Sequence, residues 1–192
     1  MNISNDINTY DVVENYINHS LNKNNLDNLK ERNNKINNAI TYICDNFASM
    51  HYNKFNTTII NDAFINDKVL TYANIKEMYD EIVNNLFYDN KYHWGRLIAL
   101  FVFSGELVCK YYHEVGNRLR EYIINWTSTY IQIKCKPWID ENNGWDGFLV
   151  TFKDELNRRD ELNCCYRDGN KNNNKLLVLL AVFTLGFAIF VR

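Results

Sequence analysis

Seven consecutive apolar residues, Leu97-Ile98-Ala99-Leu100-Phe101-Val102-Phe103, constrain this chain more than any other feature. A helix that is apolar on every side has no face to give to water and must be buried all round. This one is too short to span a bilayer, so the rest of the chain must wrap it as the central helix of a bundle. The wrapping is itself expected to be helical. Proline occurs once and glycine seven times in 192 residues, too few breakers for the turns of a β-sandwich. At about 100–200 residues per domain, the length is one domain with a real core.

Apolar spacing places the surrounding helices. Val12, Val13, Tyr16, Ile17 and Leu21 form one stripe, and residues 22–34 read as a polar connection. Ile36, Ile40, Ile43, Phe47 and Met50 form a second stripe. A third segment is expected over 58–67, and a helix over 72–87 carries Ile75, Met78, Tyr79, Ile82, Val83 and Leu86. An amphipathic helix is expected from Val115 to Ile133. Pro137, the only proline, precedes Trp138 and Ile139 as a first-turn residue would. Gly144 is expected to stop that short helix, with the next running from Trp145 to Leu156.

The C-terminal end differs from the rest. No charged residue lies between Leu176 and Val191, so the first 174 residues carry a net charge of −4 against −2 for the whole chain. Sixteen apolar residues at about 1.5 Å each make roughly 24 Å of helix. That suits a thin bilayer, with Lys171 and Lys175 snorkelling on the cytosolic side. The expected organisation is a helical bundle over 1–168, a polar linker over 169–175 and a transmembrane anchor over 176–191. The start of the chain has neither a basic stretch nor an apolar run, so no secretory signal is read there and the bundle should face the cytosol. Five cysteines (Cys44, Cys109, Cys135, Cys164, Cys165) follow no C-x-x-C pattern and fit reduced thiols.

Enzymatic and nucleic-acid readings find no support. His19, His51, His93 and His113 lie on different segments, with no metal-ligand spacing. Phosphate-binding glycine loops and nucleophile-elbow motifs are missing, and no basic excess offers a nucleic-acid footprint. Neither an enzyme nor a metal or other cofactor is expected.

Two segments are specific. The first is His93-Trp94-Gly95-Arg96 running into the apolar Leu97–Phe103 and then Ser104-Gly105. The second is Pro137-Trp138-Ile139-Asp140-Glu141-Asn142-Asn143-Gly144-Trp145-Asp146-Gly147-Phe148. In this order they resemble the first and second homology regions of the B-cell lymphoma (Bcl) family of apoptosis regulators, with patterns N-W-G-R and P-W-I-x-E-N-G-G-W-D-x-F. Ile40 to Phe47 resembles a degenerate third region, L-x-x-x-G-D-x-F, with Cys44-Asp45 at its centre. The resemblance covers most of residues 10–191 and implies an all-α, Bcl-like bundle.

The resemblance also implies a groove for an amphipathic partner helix. Ile82, Leu86, Ala99 and Phe103 would line its floor, Asn85 would lie among them, and Phe47 and Phe152 would close its ends. Arg96 would pair with the aspartate of the ligand helix, and Gly95 would allow close backbone approach. His93 replaces the usual asparagine. It would cap the helix less well, or hydrogen-bond the ligand and make binding respond to pH near ~6.5. Trp94, Trp138 and Trp145 read as packing residues.

Family members either sequester the death-promoting third-region (BH-three) helix or donate their own to form pores. With Ile40 and Cys44 at the anchor and small-residue places, this chain is a poor donor. Protection is the expected role, by capture of Bim-, Bak- and Bax-type BH-three helices at the mitochondrial outer membrane or the endoplasmic reticulum. A membrane-permeabilising effector is the alternative. One residue in six is asparagine, and with the isoleucine, lysine and tyrosine bias this points to an AT-rich coding sequence. A large DNA virus such as a poxvirus would fit, as would an AT-rich animal genome.

Overall fold

A computed structural model describes residues 7–58, 71–115 and 117–167. Among these the chain is all helical: α1 (Thr9–Lys23), α2 (Lys35–Thr58), α3 (Tyr72–Leu86), α4 (Trp94–Val115), α5 (Asn117–Tyr130), a π-helical turn (Ile131–Cys135), α6 (Lys136–Glu141), α7 (Gly144–Thr151) and α8 (Lys153–Arg167). The expected helix at 58–67, Cys164 and Cys165, and the linker and anchor at 169–191 lie outside or at the edge of what is described. Among the described residues no helix is long and apolar enough to cross a membrane.

Helix α4 is the axis. Leu97 to Phe103 are all buried, as a helix without a polar face requires, and α1, α2, α3 and α5 pack around it. Two small residues follow the apolar run for different reasons. Ser104 is fully buried and shares Thr127 of α5 with Tyr79 of α3, each contact 2.9 Å, so three buried hydroxyls satisfy one another. A Cβ on Gly105 would lie 2.5 Å from Ser20 Oγ, so the glycine sets how closely α1 crosses α4.

The connection between α1 and α2 is polar, as its composition suggests, and it is held in place by asparagines. Asn15, Asn18 and Asn22 recur on one side of α1. Asn15 Oδ1 accepts from the Arg32 amide. Asn18 Nδ2 donates to Lys30 O (2.9 Å), and Asn22 both donates to Leu29 O (2.8 Å) and accepts from its amide (2.7 Å). Side-chain amides thus satisfy a backbone that neither helix nor sheet provides for.

Several boundaries differ from the sequence reading. The stripe of α2 passes from Phe47 to His51, whose ring lies 4.6 Å from that of Phe47, and leaves Met50 47% exposed. Val115 closes α4, because the buried face continues through Leu107, Val108, Tyr111 and Tyr112. The helix expected to end at Ile133 runs into the π turn instead. Pro137 has no N–H for Ile133 O, Lys136 N donates to Ile131 O, and the wider pitch keeps Ile131 and Cys135 inside while Ile133 turns outward. Pro137 does sit in the first turn of α6. Gly144 begins α7 rather than stopping α6. The reversal is made by Asn143 (φ 67°) and Gly144 (φ 59°) together, both left-handed. Phe152, turned inward onto Phe148 at 4.7 Å, divides the helix expected over 145–156 into α7 and α8.

Candidate helix-binding site

The two specific segments meet in space. Trp94, at the start of α4, packs against Trp138 of α6 (5.0 Å between rings) and against Trp145 and Phe148 of α7 (5.9 and 5.5 Å). The tryptophans are packing residues, as expected, and their cluster fixes where α4 begins.

His93 precedes that first turn and caps it. Its Nδ1 accepts from the Arg96 amide at 3.3 Å, filling the place an asparagine side chain would take. Accepting requires an unprotonated Nδ1. His93 is exposed as a residue, but partial desolvation of its ring lowers the pKa, the Arg96 charge lowers it further, and Asp89 only partly opposes them.

The Arg96 side chain is almost fully buried and already engaged. Its Nη1 and Nη2 donate to Oδ1 and Oδ2 of Asp89, the second at 3.2 Å, and Nη1 also donates to Lys91 O at 2.7 Å. This is a two-pronged guanidinium–carboxylate fork. The turn between α3 and α4 builds it: Phe87 is buried against Tyr92 and Tyr130, and Asn90 (φ 54°) donates its amide to Phe87 O (2.9 Å), leaving Asp89 beneath Arg96. The hydrogen bond from Arg96 holds the Asp89 carboxyl at about 2. Arg96 Nε is buried with no partner among the described residues.

Not all the other expected site residues lie at a surface. Ile82, Ala99, Phe103, Phe47 and Phe152 are each less than a tenth exposed and belong to the core, Phe103 stacking on Tyr79 at 5.7 Å. In the free chain the floor candidates Ile82, Ala99 and Phe103 and the end candidates Phe47 and Phe152 are thus covered from solvent. Leu86 and Gly95 are half-buried, and Asn85 and His93 are exposed. Arg96, Gly95 and His93 come together at the head of α4, with Phe152 linked to them through Phe148 and Trp94.

The degenerate third region is turned inward. Ile40, Cys44 and Phe47 are buried, and Asp45 is held by α1 through Lys23 (2.9 Å) and His19 (3.0 Å). Burial pushes the Asp45 carboxyl up, but the hydrogen bonds from His19 and Lys23 outweigh it and leave it lowered.

Residues 40–145, more than half of the chain, match the family model for apoptosis regulator proteins of the Bcl-2 family. The chain belongs to the Bcl-2 family. Against Bcl-2-like protein 1 of Gallus gallus it is 33% identical over 102 residues, 53% of this chain and 42% of that protein. Against apoptosis regulator BAX of Homo sapiens it is 32% identical over 77 residues, 40% of each. The matched regions therefore span less than half the length of these relatives. A crystal structure of Trichoplax adhaerens trBcl-2L2 bound to trBak BH3 superposes with a TM-score of 0.65 at 21% identity, covering 78% of this chain and 99% of that one. That likeness establishes the fold.

Asp89 was not visible as a site residue. Its only mark in the sequence is an acidic side chain seven positions before Arg96, in a segment rich in Asp and Asn.

Proposed function

We propose that this Bcl-2 family member is protective and works by stoichiometric capture of the BH-three helix of a pro-apoptotic partner of the Bim, Bak or Bax type, without catalysis or a cofactor. The observation that carries the reading is Arg96: a buried guanidinium at the head of the core helix, within the first homology motif, already holding a carboxylate. A ligand aspartate would take that carboxylate's place and fix the helix register, while Gly95 permits close approach and Leu86, Asn85 and His93 offer the accessible edge. The Trichoplax relative, solved with a Bak BH3 segment, supports this mode of binding. Because Ile82, Ala99 and Phe103 are covered in the free chain, capture would include exposing that apolar face. The apolar run at 176–191 would anchor the bundle to the mitochondrial outer membrane or endoplasmic reticulum, facing the cytosol. The AT-rich bias fits a large DNA virus or an AT-rich animal genome as the source.

A permeabilising effector is the second reading, favoured by the likeness to BAX. Against it, Asp45, at the centre of the degenerate third region, is tied to α1 and its apolar neighbours face the core. Expression of the full chain in yeast, alone and with a pore-forming death protein, separates the readings. A protector restores growth, whereas an effector kills alone. In calorimetric titration of the detergent-solubilised chain with BH-three peptides, Arg96→Ala should weaken binding at least about tenfold, or ~1.4 kcal/mol.

A further inference from the structure

We propose that Asp89 is a built-in competitor for the ligand carboxylate, a stand-in that keeps Arg96 paired in the free protein and has to be displaced on capture. The inference rests on the capture reading above and adds a specificity-determining residue to it.

Four observations carry it. Asp89 occupies both terminal nitrogens of the guanidinium, the pair of donors that an incoming carboxylate would otherwise meet end-on. The two partners differ in exposure: the Arg96 side chain is 7% accessible and that of Asp89 20%. Asp89 belongs to a turn rather than a helix, between the end of α3 and the start of α4. The same turn supplies Lys91 O to Nη1, so the guanidinium keeps one backbone partner when the carboxylate leaves.

The physical logic is an exchange. A buried guanidinium without a counter-charge is strongly destabilising, so a site evolved to receive a carboxylate from outside is hard to keep folded while empty. An internal carboxylate solves this. On binding, one Arg96–carboxylate fork is broken and another forms, Asp89 moves into water, and the buried charge balance is unchanged. The cost is selectivity. A ligand helix lacking a well-placed carboxylate cannot displace Asp89, and even a good ligand gains only the difference between two similar forks. Of the Arg96 donors that Asp89 leaves unused, Nε is fully buried and not open to a second carboxylate from solvent.

The test uses the full chain in detergent and a synthetic BH-three peptide, alongside the same peptide with its aspartate exchanged for asparagine. Asp89→Asn removes the competing charge while keeping size. It should lower the melting temperature of the free protein and tighten the aspartate peptide about tenfold or more, with little gain for the asparagine peptide. In an Arg96→Ala background the same substitution should change nothing. Asp89→Ser, which has a smaller side chain without charge, should tighten binding in the same direction and guards against an effect peculiar to the amide. If Asp89 instead orients Arg96 for the ligand, both variants weaken binding; unchanged affinity would equally overturn the proposal. Wild-type binding that is insensitive to Arg96→Ala, or no binding by any variant, removes the capture reading and this inference with it. Wild-type binding that depends on Arg96 but gains nothing from Asp89→Asn removes this inference alone.

Discussion

His19 Nε2 lies 3.0 Å from Asp45 Oδ2, joining α1 to the centre of the degenerate third region on α2. The other ring nitrogen, Nδ1, lies 3.2 Å from Glu31 Oε2 in the connection between those helices. A neutral imidazole has only one N–H and would set a lone pair against a carboxylate at the other end. The geometry therefore calls for imidazolium, and the contact closes α1, the connection and α2 into one charged cluster with Lys23, while Glu106 of α4 lies close enough to feel it.

Stability contributed by His19 should be present in mild acid and fade in mild base. The hydrogen bond to Asp45 raises the imidazole pKa above 6.5, overcoming the opposing effect of burial. A group raised in the folded state stabilises fully below its unfolded value and loses that contribution as pH rises through the folded one. Thermal melts of wild type and His19→Gln at pH 5.5 and 8.5 should therefore differ more at pH 5.5, by about 0.5–1 kcal/mol for these half-buried pairs. Equal differences at both pH values would mean that the ring acts only as a neutral hydrogen-bonding spacer.

His93 should behave in the opposite sense. Partial desolvation of its ring and the Arg96 charge lower its pKa, and Nδ1 must stay unprotonated to cap α4. The cap is thus complete above the unfolded value of 6.5 and is lost as pH falls. Replacement by asparagine supplies an acceptor that does not titrate. His93→Asn is expected to stabilise by roughly 0.5–1 kcal/mol at pH 5.5, with a smaller gain at pH 8. A gain that is the same at both values would show that the imidazole cap does not titrate.

Two glycines should differ sharply in tolerance. A Cβ on Gly105 meets the Ser20 side chain at 2.5 and 3.2 Å and Tyr16 Cε1 at 3.1 Å, so the α1 side chains have to give way. A Cβ on Gly147 would lie 1.8 Å from the backbone oxygen of Asn142, which has no rotamer to change. Gly105→Ala should cost about 1–3 kcal/mol in denaturant unfolding. Gly147→Ala should cost more, and should also quench or shift the fluorescence of the Trp94–Trp138–Trp145 cluster, because Trp94 Cζ2 lies 3.4 Å from the same position. The reverse order of cost would refute this account of the α6–α7 corner.

Much of this was legible in the sequence because it is periodic or local. Leu97 to Phe103 announce the core helix by having no polar face. Val12, Tyr16 and Leu21 announce α1, and the two tryptophan-bearing segments announce the family, though not that they meet in space. The parts that were not legible are long-range or conformational. His19 and Asp45 are 26 positions apart, and nothing local pairs them. Asp89 acquires its role only because Asn90 adopts a left-handed turn that brings the carboxylate under Arg96. Ile82, Ala99 and Phe103 could be assigned to a groove or to the core with equal right, since both uses demand the same apolar side chains on the same helical faces. The asparagines of α1 looked like compositional bias, although Asn15, Asn18 and Asn22 repeat at the spacing of one helix face.

That asparagine row leads to the last expectation. Asn18 is buried, and its side chain does two things at once: Nδ2 donates to Lys30 O at 2.9 Å, and Oδ1 accepts from Arg120 Nη2 and Nε at 2.6 and 2.9 Å. Truncation leaves a carbonyl and a guanidinium without those partners, while Arg120 keeps its 3.3 Å contact to Glu14. Asn18→Ala should cost about 1–3 kcal/mol. The loss should be local before it is global, because Lys30 and Arg32 lie in the strap that Asn18 holds. Under native conditions trypsin should then cut after Lys30 or Arg32 faster in Asn18→Ala than in wild type, at denaturant concentrations where both remain folded. If cleavage rises only in step with global unfolding, the asparagines serve general stability and do not hold the strap as a separate unit.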